Sequence, residues 1–405
     1  MSKLSVYFGL LVVLATVECA LCSEFMRGVD ITVQGRQDQD GVVYKEYGIQ
    51  KDILEILKNH DINWVRLRVF HTPTGATYGV EDLDYVTQLA VRVKQAGFKL
   101  LLDFHYSDTW ADPGNQDIPA AWLGMSHSEL VTAVYEYSRD VIVHLRTNGA
   151  MPEMVQIGNE IICGMLWPDG YVCSSGSWPN LAELVDAGID GVRDGKGSEA
   201  MPEIMIHLDR GGNWNSTEWF FDNLIAQGIE FDVIGQSFYP EWHGTLDDLS
   251  NNLENMANKY SQDIIIVEVG EYYTGTEGKS PEGQKVFLEQ VISRVENTAN
   301  GKGRGVCYWE PTWVWNSGVG WRALFKPDPT WDNVDMLMAM EAFDIENCSE
   351  VWKSGYGLTG DVNRDCYVNL DDLRVMVLYW LDDDCWNDNN CGNSDLEPLD
   401  GKVDF

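Results

Sequence analysis

Basic residues are scarce in this chain. Its 405 residues hold 28 lysines and arginines against 64 aspartates and glutamates, a formal net charge of −36. Such a chain repels phosphate backbones, which excludes nucleic acid as a partner and favours a neutral ligand. Metal-binding spacing is absent: there is neither HxH nor HExxH among the 7 histidines, so catalytic zinc is not expected. No glycine-rich phosphate turn follows the first apolar run, which weakens a doubly wound nucleotide fold. Long apolar runs are missing beyond the N-terminus, so no later segment is expected to cross a membrane. There, Lys3 precedes an apolar core over Leu10 to Val17, too short to span a bilayer. The pattern predicts a secretory signal over residues 1–23, cleaved near Ala20 to Ser23, without a convincing lipoprotein box. The chain is therefore expected to be secreted.

Nine cysteines are present, two of them in the signal region. Export permits disulfides among the others. Cys163 and Cys173 flank a short loop and form the best candidate pair. Cys307 and Cys348 are either paired or free, and Cys366, Cys385 and Cys391 cluster in the tail.

What is present in quantity is alternation. Short apolar runs recur at Met26 to Ile31, Trp64 to Phe70, Lys99 to Phe104, Met154 to Ile157, Glu203 to Leu208, Val233 to Phe238, Ile264 to Val269 and Gly305 to Trp309. Amphipathic stretches separate them, among them Gln50 to Asn59, Asp82 to Ala96, Glu129 to Asn148 and Gly283 to Asn300. Eight strand-then-helix units predict an α/β fold, a parallel (β/α)8 barrel over residues 24–347. The runs end in polar or aromatic groups: Arg66 and Arg68; Asp103, His105 and Tyr106; Asn159 and Glu160; His207 and Asp209; Tyr239; Glu268; Trp309 and Glu310. In a barrel these converge on the catalytic face.

Three of these ends carry glutamates, and Glu160 in VQIGNE and Glu268 in IIIVEVG form the leading pair. Glycoside hydrolysis needs a protonated carboxyl to release the leaving oxygen and a second carboxylate to attack or stabilise the anomeric carbon. Strands four and seven face each other across a barrel mouth, compatible with the spacing of about 5–5.5 Å of a retaining pair. Glu160 is then expected as acid/base and Glu268 as nucleophile. Asn159 would hold the sugar 2-hydroxyl, and Arg66 and Tyr239 would keep Glu268 ionised. Glu271 competes with Glu268, and Glu310 is a third carboxyl suited to a substrate or structural contact. Asp103, His105 and His207 are expected as substrate contacts or supports, the histidines as neutral hydrogen-bonding groups. Trp110, Trp122, Trp167, Trp214, Trp242, Trp309, Trp313 and Trp315 follow strands and offer platforms for sugar rings.

The segments MRGVDIT, NWVRLRVF, LLDFHYSDTWADPGNQ, VQIGNEI, HLDRGGNWNSTEWFFDNL, DVIGQSFYPEWHGT, IIVEVGEYYT and GVCYWEPTWV, in order between Met26 and Phe343, resemble glycoside hydrolase family 53. These are the endo-β-1,4-galactanases of type I arabinogalactan, the pectic galactan. The resemblance implies the barrel, retention of configuration, the roles given to Glu160 and Glu268, and galactan as the polysaccharide partner, with no catalytic cofactor. EVGEYYT, SFYP and the loop Asn316 to Arg322 depart from the common family form. The rivals are another endo-glycanase of the same clan, a mannanase or glucanase, and a non-catalytic carbohydrate-binding or scaffold protein on the same barrel.

After residue 347 the character changes. Residues 348–359 read as a linker, and residues 360–405 are dense in Asp and Asn. Asp361, Asn363, Asp365, Tyr367, Asn369 and Asp372 fall at positions 1, 3, 5, 7, 9 and 12 of an EF-hand-like loop, with Cys366 in place of the usual glycine. An amphipathic stretch, Leu373 to Leu381, follows. The segment resembles a dockerin repeat, with an incomplete second copy near Asp395. That implies Ca2+ in the tail and a cohesin or cell-surface scaffold as partner. The protein is expected to be monomeric.

Overall fold

The computed structural model describes residues 24–74, 80–174, 176–275, 277–314, 320–327 and 333–345. Eight parallel strands close into a barrel: Met26–Asp30, Trp64–Val69, Lys99–Phe104, Met154–Ile157, Glu203–Leu208, Val233–Phe238, Asp263–Val269 and Gly303–Trp309. They are called strands one to eight below. Each pairs with its sequence neighbours, and strand one pairs with both strand two and strand eight. The tail expected to bind calcium, with Asp361, Asn363, Asp365, Tyr367, Asn369 and Asp372, lies outside the described residues, as do the signal region and Trp315.

Strand alternation sorts the side chains into two cores. Val65, Leu67, Val69, Leu100, Leu102 and Phe104 face outward and pack with the helices. Trp64, Leu101, Met154, Met205, Val233, Ile265, Val267 and Cys307 fill the barrel interior, with Met26. One step towards the C-terminal ends, the inward positions turn polar: Arg66, Asp103, Gln156 and His207 are all buried. Cys307 is a free, buried thiol, which settles its open pairing. Cys163 and Cys173 are bonded, with 4.9 Å between their Cα atoms.

The helices start where local chemistry stops the chain. Asp82 caps Leu83–Gln95 by accepting from the Tyr85 N–H, and Val86, Leu89, Ala90 and Val93 form its buried stripe. The third stretch begins earlier than its apolar pattern, at His127, because Ser126 and Glu129 form a capping box. The first stretch begins later, at Ile53, because Asp52 caps it. Gln50 instead belongs to a four-stranded sheet made of Val43–Glu46, Ile49–Gln50, Phe325–Pro327 and Asn333–Met336. Nothing in the apolar pattern announced that sheet, whose strands have two to four residues. Among the described residues no helix is long and apolar enough to cross a membrane.

Gly305 sits opposite Met26 in the strand ladder. A Cβ there would stand 2.2 Å from the Met26 Cβ. Gly305→Ala is expected to cost about 1–3 kcal/mol through overpacking, read as a lower urea midpoint; an unchanged midpoint would mean the two strands part freely.

Candidate active site

Arg66 organises the barrel mouth. Strand two turns Arg66 and Arg68 inward together because they are two residues apart. The Arg66 guanidinium donates to Asp30 (2.9 Å), Glu268 (2.7 Å), Asp103 (2.8 Å), Asn159 (2.9 Å) and Gln156 (3.2 Å). Arg68 donates to Glu310 (2.5 Å), Glu81 (3.0 Å) and Asp30 (3.4 Å). Two guanidiniums thus face five carboxyl groups, and both arginines are buried. With acid in excess, protons remain on the carboxyls farthest from a guanidinium.

Glu268 reaches this cluster through a break in its strand. Ile265 and Val267 both point into the barrel, so simple alternation would send Glu268 outward. The ladder shifts instead: Gln236 and Ser237 face Ile266 and Glu268, and Val306 and Tyr308 face Ile266 and Val269. One extra residue in strand seven makes a bulge, which re-aims the carboxyl inward. There Arg66 holds one oxygen and the Tyr239 hydroxyl donates to the other at 3.2 Å.

Glu160 stands differently. Strand four ends at Ile157, Gly158 has φ of +78°, and Glu160 itself has φ of +50°. A non-glycine residue in the left-handed region costs roughly 1–3 kcal/mol. The Ile161 N–H bonded to the His207 carbonyl at 3.0 Å helps to hold it. Glu160 accepts from the Ser237 hydroxyl at 2.6 Å and has no ion pair among the described residues. Burial, then the Glu268 and Asp209 charges, push its carboxyl well above the usual range. Burial raises Glu268 as well, but Arg66 opposes it directly. The two carboxyls share one cleft, and the proton belongs on Glu160.

The supports lie behind them. Asp103 bonds Arg66 and the Gln156 amide at 2.7 Å. His105 accepts from the Ala111 N–H at Nδ1 (3.0 Å) and faces Asp103 with Nε2 (3.0 Å), which places its hydrogen on Nε2. His207 sits between Asn159 and Gln156 on one side and Ser237 on the other, at 2.8 Å. Burial and the Arg66 charge keep it neutral, well below its ordinary pKa. Asp103 and His207 do not line the cleft. Asn159 does, with its amide donating to the Ala111 carbonyl at 2.8 Å.

The cleft holds about 460 Å³ and is walled by Trp110, Trp309, Tyr239 and Trp242. Trp110, Trp309 and Trp313 cluster, with ring centroids 5.9–6.3 Å apart. Trp242 is 67% exposed at the rim. Four of the described tryptophans expected at the cleft do not line it: Trp313, which packs on Trp110 and Trp309, and three others. Trp122 packs on His71 and Tyr137 beneath it, Trp214 opens a helix and leans on Tyr260, and Trp167 pairs with Tyr171 in a separate groove. Glu271 is no competitor for Glu268: it is turned aside, bonded to Lys279 and the Tyr272 N–H. Glu310 does not line the cleft: one oxygen takes Arg68 and the Val33 N–H, and the other is buried without a partner among the described residues.

Several residues in or behind the cleft were not picked out as site residues in the sequence. Ser237 and Gln156 lie at inward positions of strands already read, so counting alternation from Tyr239 and from Met154 would have found them. Asp112 and Arg210 come from loops, and His243 and Arg322 end the short helical turns Pro240–His243 and Gly320–Arg322, none of which offers a period to follow. Arg322 pairs with Glu241 and stacks on Tyr272 at 3.9 Å and Trp242 at 5.1 Å. Among the described residues no group of three or more His, Cys, Asp or Glu side chains is placed to hold a metal.

Two carboxyls of unequal proton affinity, set between indole walls on a closed barrel, suit the cleavage of bonds between sugars and define a glycoside hydrolase. The chain belongs to glycosyl hydrolase family 53, whose sequence model matches residues 26–365. It is 40% identical to an uncharacterised protein of Niallia circulans over 80% of this chain and 96% of that one. It is 37% identical to the arabinogalactan endo-β-1,4-galactanase of Thermothelomyces thermophilus over 73% of this chain and 91% of that one. Among solved structures, the family 53 catalytic domain of Ignisphaera aggregans superposes with a TM-score of 0.72 at 34% identity, covering 79% of this chain and 95% of that one.

Tyr239→Phe removes the neutral donor to Glu268. A lost donor to a carboxylate raises its pKa, so the acid limb of the kcat/KM profile is expected to move to higher pH, with turnover down about 10–100-fold. An acid limb that stays in place would show that Tyr239 does not tune Glu268.

Proposed function

We propose that the protein is a secreted, retaining endo-β-1,4-galactanase acting on the galactan of type I arabinogalactan. The observation that carries this is the asymmetry of the two cleft carboxyls: Glu268 is locked to Arg66 at 2.7 Å, while Glu160 meets a neutral serine hydroxyl at 2.6 Å. The galactanase activity named for its relatives supports the choice of substrate.

In the first step a Glu268 oxygen bonds to the anomeric carbon and the glycosidic C–O bond breaks. The proton of Glu160 passes to the leaving oxygen. In the second step Glu160 takes a proton from water, the water oxygen bonds to the same carbon, and Glu268 leaves. Two inversions retain the configuration. Asn159 meets the sugar 2-hydroxyl, where a hydrogen bond strengthens in the transition state. Trp110, Trp242 and Trp309 supply apolar faces for the sugar rings, and His105 and Arg66 hold the floor. The N-terminal segment directs export. Asp361, Asn363, Asp365, Tyr367, Asn369 and Asp372 would bind Ca2+ in a dockerin-like tail that meets a cohesin or surface scaffold.

New reducing ends are expected on galactan and not on mannan or β-glucan, with the β-anomer of the product appearing first by NMR. Inactivity on galactan would overturn the substrate, and a first-formed α-anomer the mechanism. Glu160→Gln and Glu268→Gln are each expected to lower kcat on galactan at least 1,000-fold, about 4 kcal/mol of barrel-mouth chemistry, while binding persists. Unchanged turnover would mean that the two glutamates do not carry the reaction.

A further inference from the structure

Asp209 is a buried cleft carboxyl that the reaction above leaves without a task. It follows strand five at the next inward position after Met205 and His207, and it lines the same cleft as Glu160. It is 5% exposed. One oxygen takes the Arg210 guanidinium at 2.5 Å. The other is buried and has no hydrogen-bond partner among the described residues. A buried acceptor left unpaired costs about 1–3 kcal/mol, so a carboxyl kept there for stability alone is a poor choice. Arg210 is itself fixed from behind, its N–H on the Gln236 amide oxygen at 3.1 Å and its carbonyl on the Asn252 amide at 2.9 Å. These bonds fix the Arg210 backbone, and its guanidinium is tied to Asp209 a second time, through the Asp209 carbonyl at 3.1 Å.

We propose that Asp209, gripped on one side by Arg210, is a positioning residue that keeps the proton on Glu160 until a glycosidic oxygen arrives. The proposal rests on the reading of Glu160 as the acid. The groups acting on Glu160 are known from every side: Glu268 from strand seven, Asp209 from strand five, Arg66 from strand two and the Ser237 hydroxyl from strand six. Asp112 from the loop after strand three, Arg210 and Glu268 act on Asp209. His207 and His243 are both held neutral by burial. Arg66 pulls the Glu160 proton away; Asp209 and Glu268 push it back. Each acid is paired, Glu268 with Arg66 and Asp209 with Arg210, and Asp209 adds its push to the stronger one of Glu268.

The titration of Asp209 fits this task. Burial, opposed by Arg210, raises its carboxyl to about 7. Below that pH it is neutral and Glu160 needs no help. As pH rises its negative charge appears, over the range in which Glu160 would otherwise lose its proton. The two groups titrate as a coupled set, and the acid form of Glu160 extends towards neutral pH.

The test is the pH profile of kcat/KM on galactan for Asp209→Asn, with Asp209→Ser in its place should the first not fold, and Asp209→Glu as the conservative variant. Loss of a neighbouring negative charge lowers the Glu160 pKa, so the alkaline limb is expected to move down by about one pH unit. Asp209→Glu is expected to restore it. A fall in rate at every pH with the limb unmoved would overturn the proposal, since that is what a structural role predicts. Glu160→Gln is profiled alongside. If it keeps the wild-type alkaline limb, the reading of Glu160 as the acid fails. If it loses that limb and Asp209→Asn does not move it, only the role of Asp209 fails.

Discussion

The Arg66 guanidinium is the charge on which the barrel mouth depends. It is buried, and it meets acid groups from strands one, three and seven. A buried cation is tolerated only when it is paired and its donors are satisfied. Here the satisfying groups are the site itself. Removing the arginine would strand three carboxyls in a dry cavity, where breaking such a pair costs roughly 3–5 kcal/mol. The same contact makes Glu268 the ionised member of the glutamate pair, which leaves Glu160 as the member that keeps a proton. Structural and chemical demands on Arg66 are therefore one demand.

Around that charge the fold spends local order on aim. The bulge in strand seven abandons alternation to bring Glu268 inward. At strand four the chain accepts a left-handed φ of +50° at Glu160. Both distortions lie at C-terminal strand ends, where a barrel exposes its strands to a ligand. The apolar interior layer beneath, from Trp64 to Cys307, is regular and carries no polar atom that a site would need. Strain stays where chemistry is done, and packing stays regular below it.

Much of this was legible in the sequence because buried strands declare themselves. All eight runs became barrel strands, displaced by at most two residues at their ends. The strand-end residues Arg66, Asn159, Tyr239 and Glu268 meet as their positions suggested. Three things were not legible. The bulge before Glu268 was hidden because Val267 and Glu268 both face inward, and a period of two cannot record that. Short strands such as Ile49–Gln50 bury almost nothing, so no apolar pattern betrays them. Loop residues obey no period, so Trp122, Trp167 and Trp214 looked equal to Trp242, and Arg322 was seen only as part of an unusual loop. Whether a tryptophan meets a ligand or a neighbouring ring depends on how its loop packs, which is a tertiary matter.

The division of labour between the two glutamates can be seen directly by titrating them. Carbon-13 NMR of the carboxyl carbons, assigned with Glu160→Gln and Glu268→Gln, follows each group in the resting protein. The account predicts that at pH 6 Glu268 is ionised and Glu160 still protonated, and that Arg66→Gln narrows the gap between them. A protonated Glu268 beside an ionised Glu160 at that pH would contradict it.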